Sequence, residues 1–343
     1  MSVWLFFAAA VMAWLVGWPV GAWLRKAGLI DRPNARSSHA IPTARGGGVV
    51  FLLGLGVISL AGVRPLPIEA MVLLMAGGVL ASVSFLDDVR SLSPLVRFGV
   101  HLLCAGAALW VLGFGRVDVF EEWWGRFGIG VFGLSLVLVV WVVGYTNAFN
   151  FMDGINGIAS GQACVTALGM VLVTGLESGT WDSPSQVLCV VLAGSVLGFL
   201  PHNFPRARMF MGDVGSAPLG FLLASLALWL VRDFGWWLLV PLSLLHANFV
   251  LDTSVTLVRR MARGETWHQP HREHFYQRLV RAGKSHAFVT GWEMVLQCLV
   301  LGLALLYLKV GLIGKGVIVT SVLGIWTVFF CFAERTFRLS KQE

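Results

Sequence analysis

The chain has 343 residues, 57% of them hydrophobic and only 13% charged, so a soluble core could not hide its apolar surface. Its net charge of +7 comes from 25 basic and 18 acidic residues. In so apolar a chain that excess points to basic loops at a membrane face and an anionic substrate rather than to nucleic acid. The five cysteines (Cys104, Cys164, Cys189, Cys298, Cys331) lie in apolar stretches without a CxxC pair, which argues against a disulfide framework or a thiolate zinc site.

A bilayer-crossing helix needs roughly 20 mostly apolar residues. Backbone groups find no water in the bilayer, so helices are required. Eleven segments read as such helices: 3–24, 47–63, 68–86, 95–114, 128–148, 158–176, 185–202, 215–232, 235–258, 287–308 and 312–333. The first runs on without a small-residue cleavage site and reads as a span, not a removed signal. No repeat or low-complexity linker interrupts the series. The expectation is one all-α, polytopic integral membrane domain over 1–343, with about 11 transmembrane helices.

Eleven spans put the termini on opposite sides. Of the 25 Lys and Arg residues, 19 fall in one set of loops and 6 in the other. The positive-inside rule makes the richer side cytoplasmic, the N-terminus periplasmic and the C-terminus cytoplasmic. The polar segments DRPNARSSHAIPTARGGG (31–48), LDDVRS (86–91), NAFNFMDGING (147–157), PHNFPRARMFMGDVGS (201–216) and WHQPHREHFY (267–276) all fall on that cytoplasmic side. The loops 25–46, 87–94, 149–157, 203–214 and 259–286 are thus expected to build one active site, while the opposite loops offer little beyond Glu121 and Glu122.

In chain order, Arg36, His39, Arg45 and Gly46–Gly48 offer a phosphate cradle, or simply helix packing. Asp87 and Asp88 form a carboxylate pair at a membrane boundary, costly unless it meets a cation or merely stops a helix in water. Asn147, Asn150 and Asp153, with Asn156, carry groups suited to a base edge or ribose, or mark a turn. Asp213 lies between Gly212 and Gly215, where tight turns and close backbone approach are allowed; the plainer reading is an N-cap by Asp213 or Ser216. Three carboxylates without thiolates suit a hard ion such as Mg²⁺ or Mn²⁺. Asp252, inside a span, is a functional candidate or the partner of Arg259. Pro270 would start a helix, placing His271, Arg272 and His274 in its first turns as an anion site; a metal site including His268 competes.

These motifs, in this order and membrane placement, resemble the polyprenyl-phosphate N-acetylhexosamine-1-phosphate transferases (glycosyltransferase family 4), which start bacterial peptidoglycan, O-antigen and teichoic-acid lipid intermediates. The match runs from PNARSSHAIPTARGGG through LDD, NAFNFMDGINGIA and FMGDVGS to HREH. The HREH loop, in place of a His-rich triplet, makes the chain more similar to the O-antigen-initiating branch. The resemblance implies a UDP-N-acetylhexosamine donor, an undecaprenyl phosphate acceptor, UMP release and Mg²⁺ (or Mn²⁺) dependence in the bacterial inner membrane; a homodimer is compatible with it. It implies that Asp87, Asp88 and Asp213 are catalytic and hold the metal, that Asn147, Asn150 and Asp153 bind nucleotide, and that Arg45, His271, Arg272 and His274 contact phosphate or sugar. Relatives carry a lysine where this chain has Ser91, so its phosphate contact passes to Arg90 or Arg97.

Two other classes compete. A transporter of an anionic substrate would place polar groups near the bilayer midplane on repeated, broken helices. An alcohol phosphotransferase would group its acids on neighbouring helical turns, whereas here they are spread over five loops. For the transferase, the acceptor phosphate has a second pKa near ~6 and needs little help from a base. Direct attack is therefore expected over a covalent aspartyl intermediate.

Overall fold

The computed structural model describes residues 2–33, 41–62, 65–90, 92–114, 131–266 and 271–342. Arg36, His39, Ser91, Glu121, Glu122, His268 and Pro270 lie outside the described residues. The chain runs α1 (Ser2–Lys26), β1 (Ile30–Asp31), β2 (Thr43–Arg45), α2 (Gly48–Gly62), α3 (Ile68–Arg90), α4 (Pro94–Val111), α5 (Val131–Met152), α6 (Ile158–Ser178), α7 (Pro184–Asn203), β3 (Met209–Phe210) and α8 (Asp213–Phe234). A 3₁₀ turn (Trp236–Leu238) then leads to α9 (Leu239–Leu244), α10 (Ala247–Ala262), α11 (Phe275–Arg281), α12 (His286–Tyr307) and α13 (Leu312–Leu339). Among the described residues nine helices are long and apolar enough to cross a membrane, and the bent pair Trp236–Leu244 and Ala247–Ala262 makes up to ten. The protein is an all-α polytopic membrane protein, as its sequence predicts.

Two of the expected spans differ in detail. The segment read as 47–63 forms α2, whose 15 residues rise only about 22 Å, short of the ~30 Å hydrocarbon core. The segment read as 235–258 is broken, with a 70° bend between its halves. The break frees the Leu245 carbonyl, which would be costly in lipid. It accepts instead from Gln162 Nε2 at 3.0 Å, Thr166 Oγ1 at 3.1 Å and Gln297 Nε2 at 2.6 Å.

Helix α8 is the axis of the bundle: its most apolar window is wholly buried, with α2–α7 and α9 packed around it. It runs antiparallel to α3. At one end Arg232 meets Glu69 at 3.0 Å; at the other, Asp213 and Asp88 both reach Arg45. Helix α2 starts against α8 by bare backbone. A Cβ on Gly48 would sit 2.2 Å from Gly215 Cα, and one on Gly215 would sit 2.6 Å from Gly48 Cα.

The all-α reading missed a small sheet. Strand β2 pairs antiparallel with β1 (Ile30 opposite Ala44) and parallel with β3 (Arg45 beside Phe210). Strands of two or three residues carry no readable period. The sheet explains the triple glycine: Gly47 N–H donates to Phe210 C=O at 2.8 Å and Gly48 N–H to Met211 C=O at 2.9 Å. These donors fasten α2 to the strand before α8 and are not aimed at a phosphate.

Gly48→Val should overpack the α2–α8 contact by about 3 kcal/mol or abolish folding, whereas Gly78→Ala, with open space at its Cβ, should be silent. Thermal unfolding followed by size-exclusion chromatography in detergent separates the two.

Candidate active site

Arg45 is the centre. Strand β2 carries it between two helix ends, and its Nη2 lies 2.9 Å from Asp213 Oδ1 and 3.1 Å from Asp88 Oδ1. Burial works against its charge, but Asp213, Asp88 and Asp31 outweigh that and hold the guanidinium pKa above its usual value. Asp31, on β1, was not singled out from sequence; only the sheet brings it beside Arg45.

Asp213 is the first residue of α8, not its cap. The N-cap is Gly212, whose φ of 70° suits glycine, and no side chain caps the helix. A Cβ on Gly212 would also meet Arg45 Cγ at 3.2 Å. The tight turn read in the sequence is therefore present, while capping by Asp213 or Ser216 is not. Ser216 Oγ instead accepts from Asn150 Nδ2 at 2.9 Å, tying the end of α5 to the start of α8. Asn147 Nδ2 is turned to Val143 C=O of its own helix at 2.7 Å and toward the His101 ring of α4 at 3.3 Å.

Asp87 and Asp88 lie in the last turn of α3 and separate in function. Asp87 Oδ2 accepts from Arg97 at 2.8 Å and its Oδ1 from the Leu92 N–H at 2.7 Å, pinning the start of α4. Asp88 faces Arg45. Arg90 ends α3, exposed. Asp153 follows α5; burial, with Asp213 adding to it, pushes its carboxyl well above the usual carboxylate range, and Arg45 offsets only part of this.

The histidine loop packs against the Asp153 turn. Tyr276 Oη donates to Phe151 C=O at 3.0 Å, and Thr290 Oγ1 to Asn156 C=O at 2.8 Å. The expected helix starting at Pro270 begins later: α11 starts at Phe275, with His274 as N-cap. Asp252 holds that start. Its Oδ2 accepts from Phe275 N–H at 2.9 Å, its Oδ1 lies 2.9 Å from His274 Nδ1, and Thr256 Oγ1 donates to it at 3.1 Å. The alternative partner Arg259 turns away to Glu334, at 3.1 Å. The His271 and His274 rings lie 4.9 Å apart. Burial, then His274 and Arg260, lower the His271 pKa to about 4. At neutral pH His271 is therefore an uncharged imidazole, and Arg272 is a fixed cation of this loop.

Asp31, Asp88, Asp153 and Asp213 bring more carboxylates near Arg45 than one guanidinium can pair. All the donors are oxygens, the set that Mg²⁺ prefers. Among the described residues no three His, Cys, Asp or Glu side chains form a ready-made cage.

With the geometry in place, the comparisons are specific. Residues 70–231 match the model of Glycosyl transferase family 4. The chain is 30% identical over 344 residues to a decaprenyl-phosphate N-acetylglucosaminephosphotransferase of Mycobacterium tuberculosis, covering 90% of this chain and 80% of the relative. It is 29% identical to a probable undecaprenyl-phosphate N-acetylglucosaminyl 1-phosphate transferase of Bacillus subtilis (84% and 81% covered). It is 27% identical to the undecaprenyl-phosphate alpha-N-acetylglucosaminyl 1-phosphate transferase of Escherichia coli K12 (76% and 71% covered). The chain belongs to the polyprenyl-phosphate N-acetylhexosamine-1-phosphate transferase superfamily. It is a multi-pass membrane member of a transferase family, and in it two of the aspartates singled out from sequence, Asp88 and Asp213, meet at one arginine.

Two outcomes follow from the histidine loop. Asp252→Ala strands the Phe275 N–H and releases His274, and should cost about 3 kcal/mol of stability with a large loss of transferase activity; thermal shift and lipid-labelling rate measure both. His271 has a folded pKa of about 4 against the usual 6.5, so the folded state binds fewer protons in that window and loses stability as pH falls through it. His271→Gln should flatten the dependence of melting temperature on pH between those values.

Proposed function

We propose that this protein transfers N-acetylhexosamine-1-phosphate from a UDP-sugar to undecaprenyl phosphate, releasing UMP and starting a lipid-linked cell-surface glycan of the O-antigen or a related type. The observation that carries the reading is the convergence of Asp88 and Asp213 on Arg45 at 3.1 and 2.9 Å, beside Asp153 and at the ends of membrane-spanning helices. Such a place can receive a water-borne nucleotide sugar and a bilayer lipid together. N-acetylglucosamine is the donor sugar to test first, because the relatives' names specify it. The excess of basic loop residues makes this face cytoplasmic, with the N-terminus periplasmic and the protein in the inner membrane.

Both substrates are anionic and repel each other, so the site must supply positive charge. Mg²⁺ would be held by Asp213 and Asp88, with Asp153 adjoining, and when bound would draw charge from the donor pyrophosphate. Arg45 donates to whichever phosphate oxygens displace its carboxylate partners. Asp87 acts as a positioning residue, since both its oxygens hold the α3–α4 junction and Arg97. His271 and His274 present uncharged or hydrogen-bonded imidazoles to the pyrophosphate, Arg272 adds charge, and the Asn147–Asp153 end of α5 meets the uridine. The acceptor, largely a dianion at pH 7, attacks the sugar-bearing phosphorus directly. One phosphorus–oxygen bond forms to the lipid phosphate, the bond to the bridging oxygen breaks, and the electron pair leaves with UMP.

Membranes incubated with radiolabelled UDP-N-acetylglucosamine should label the lipid extract and release UMP, and chelating divalent ions should stop both. Asp213→Asn should lower labelling by about 10³-fold with the protein still in the membrane. Undiminished labelling in that variant would refute the assignment.

A further inference from the structure

A second feature lies on the far side of α11 from the histidines. A cavity of about 650 Å³ opens between α10, α11 and α13. This is within the usual range for a ligand cavity, roughly 300–1,000 Å³. Its walls include Val255, Phe275, Phe330 and Cys331, and Arg335 and Arg338 stand at its rim. Phe275 and Phe330 stack at 4.3 Å and make its floor rigid. None of the candidate site's acidic or histidine side chains lines it.

The rim is strongly cationic. Arg259 and Arg338 both border the cavity, and both reach Glu334, at 3.1 and 2.8 Å. Arg278 reaches the same carboxylate at 2.6 Å. Glu334 is thus shared by three arginines, and Arg335, exposed one residue further on, is in none of these pairs. Among the lining residues one carboxylate, Glu334, stands against three guanidiniums, Arg259, Arg335 and Arg338, which leaves an excess of positive charge over an apolar slot. The slot continues onto the outer face of α13, where Val328 is 70% and Phe332 46% exposed, a surface that lipid would cover.

We infer that this groove is a binding site for one anionic phospholipid of the surrounding bilayer, its phosphate at Arg335 and Arg338 and an acyl chain along Val255, Phe330 and Cys331. A basic cluster beside a membrane-spanning helix end attracts anionic headgroups, and the slot below it accepts a chain but offers little for a soluble anion. The site also touches the candidate active site. Phe275, in its wall, gives its backbone N–H to Asp252, which holds His274. A lipid packed on Phe275 therefore braces the start of α11 from behind.

Cys331 is an exposed free thiol in the groove and reports on its occupancy. The full-length protein in nanodiscs of phosphatidylglycerol or of phosphatidylcholine would be treated with N-ethylmaleimide, and the Cys331 peptide followed by mass spectrometry. Alkylation should be slower in phosphatidylglycerol by about thirtyfold, the effect of two basic contacts at ~1 kcal/mol each. Arg335→Ala, which breaks none of the Glu334 pairs, should cut the protection about fivefold, and Arg335→Ala with Arg338→Ala should remove it. Equal rates in the two lipids, or protection unchanged in the double variant, would overturn the inference. So would protection appearing in phosphatidylcholine nanodiscs on adding one equivalent of polyprenyl phosphate, since the groove would then be the acceptor's path.

Discussion

Two carboxylates on antiparallel helices cannot approach one another at a membrane boundary unless something positive stands between them. Here that group is Arg45. Asp88 ends α3 and Asp213 begins α8, and Arg45 reaches both from a strand that belongs to neither helix. Much of the fold serves to deliver it. The pairing of β2 with β1 and β3 sets its height, the triple glycine ties β2 to the approach to α8, and the bare contact of Gly48 with Gly215 lets α2 leave without pushing α8 away. The Glu69–Arg232 pair at the opposite ends of the same two helices keeps α3 and α8 in register.

The arrangement is poised for exchange more than for stability. An exposed or half-buried ion pair contributes little, about 0–1 kcal/mol. Asp31, Asp88 and Asp213 share one guanidinium, and the Asp153 carboxyl beside them is raised by burial first and by Asp213 second. Such a cluster would exchange its internal pairs for an incoming cation and phosphate at little cost.

The membrane spans were legible because an apolar run of about twenty residues fits a bilayer and little else. Candidate residues were legible because acids and amides gathered at span ends, and the structure brings Asp88, Asp213 and Arg45 among them together. What escaped was non-local. Nothing in Thr43–Arg45 or Met209–Phe210 announces strands two or three residues long, so neither Arg45's bridging geometry nor the nearness of Asp31 could be read. The partner of Asp252 was open between Arg259 and a functional group, and only the packing of α11 on α10 gave it to His274 and Phe275. The break at Leu245 was equally hidden, because the side chains that satisfy its carbonyl come from α6 and α12, 83 and 52 residues away.

That break divides the protein into two mechanical halves. On one side the apolar length of α8 is wholly buried, and its first turn carries Asp213 on a frame of packed helices. On the other, α10 leaves the bundle axis at 70° and supports α11 mainly through one buried carboxylate and the arginines around Glu273 and Glu334. The carboxylates of the candidate site thus sit on rigidly packed helices, while the bent span turns apolar side chains such as Val255 and Val258 outward. Bending a span at a carbonyl that three buried side chains satisfy allows this without exposing backbone to lipid. It leaves α3 and α8, and the carboxylates they carry, undisturbed.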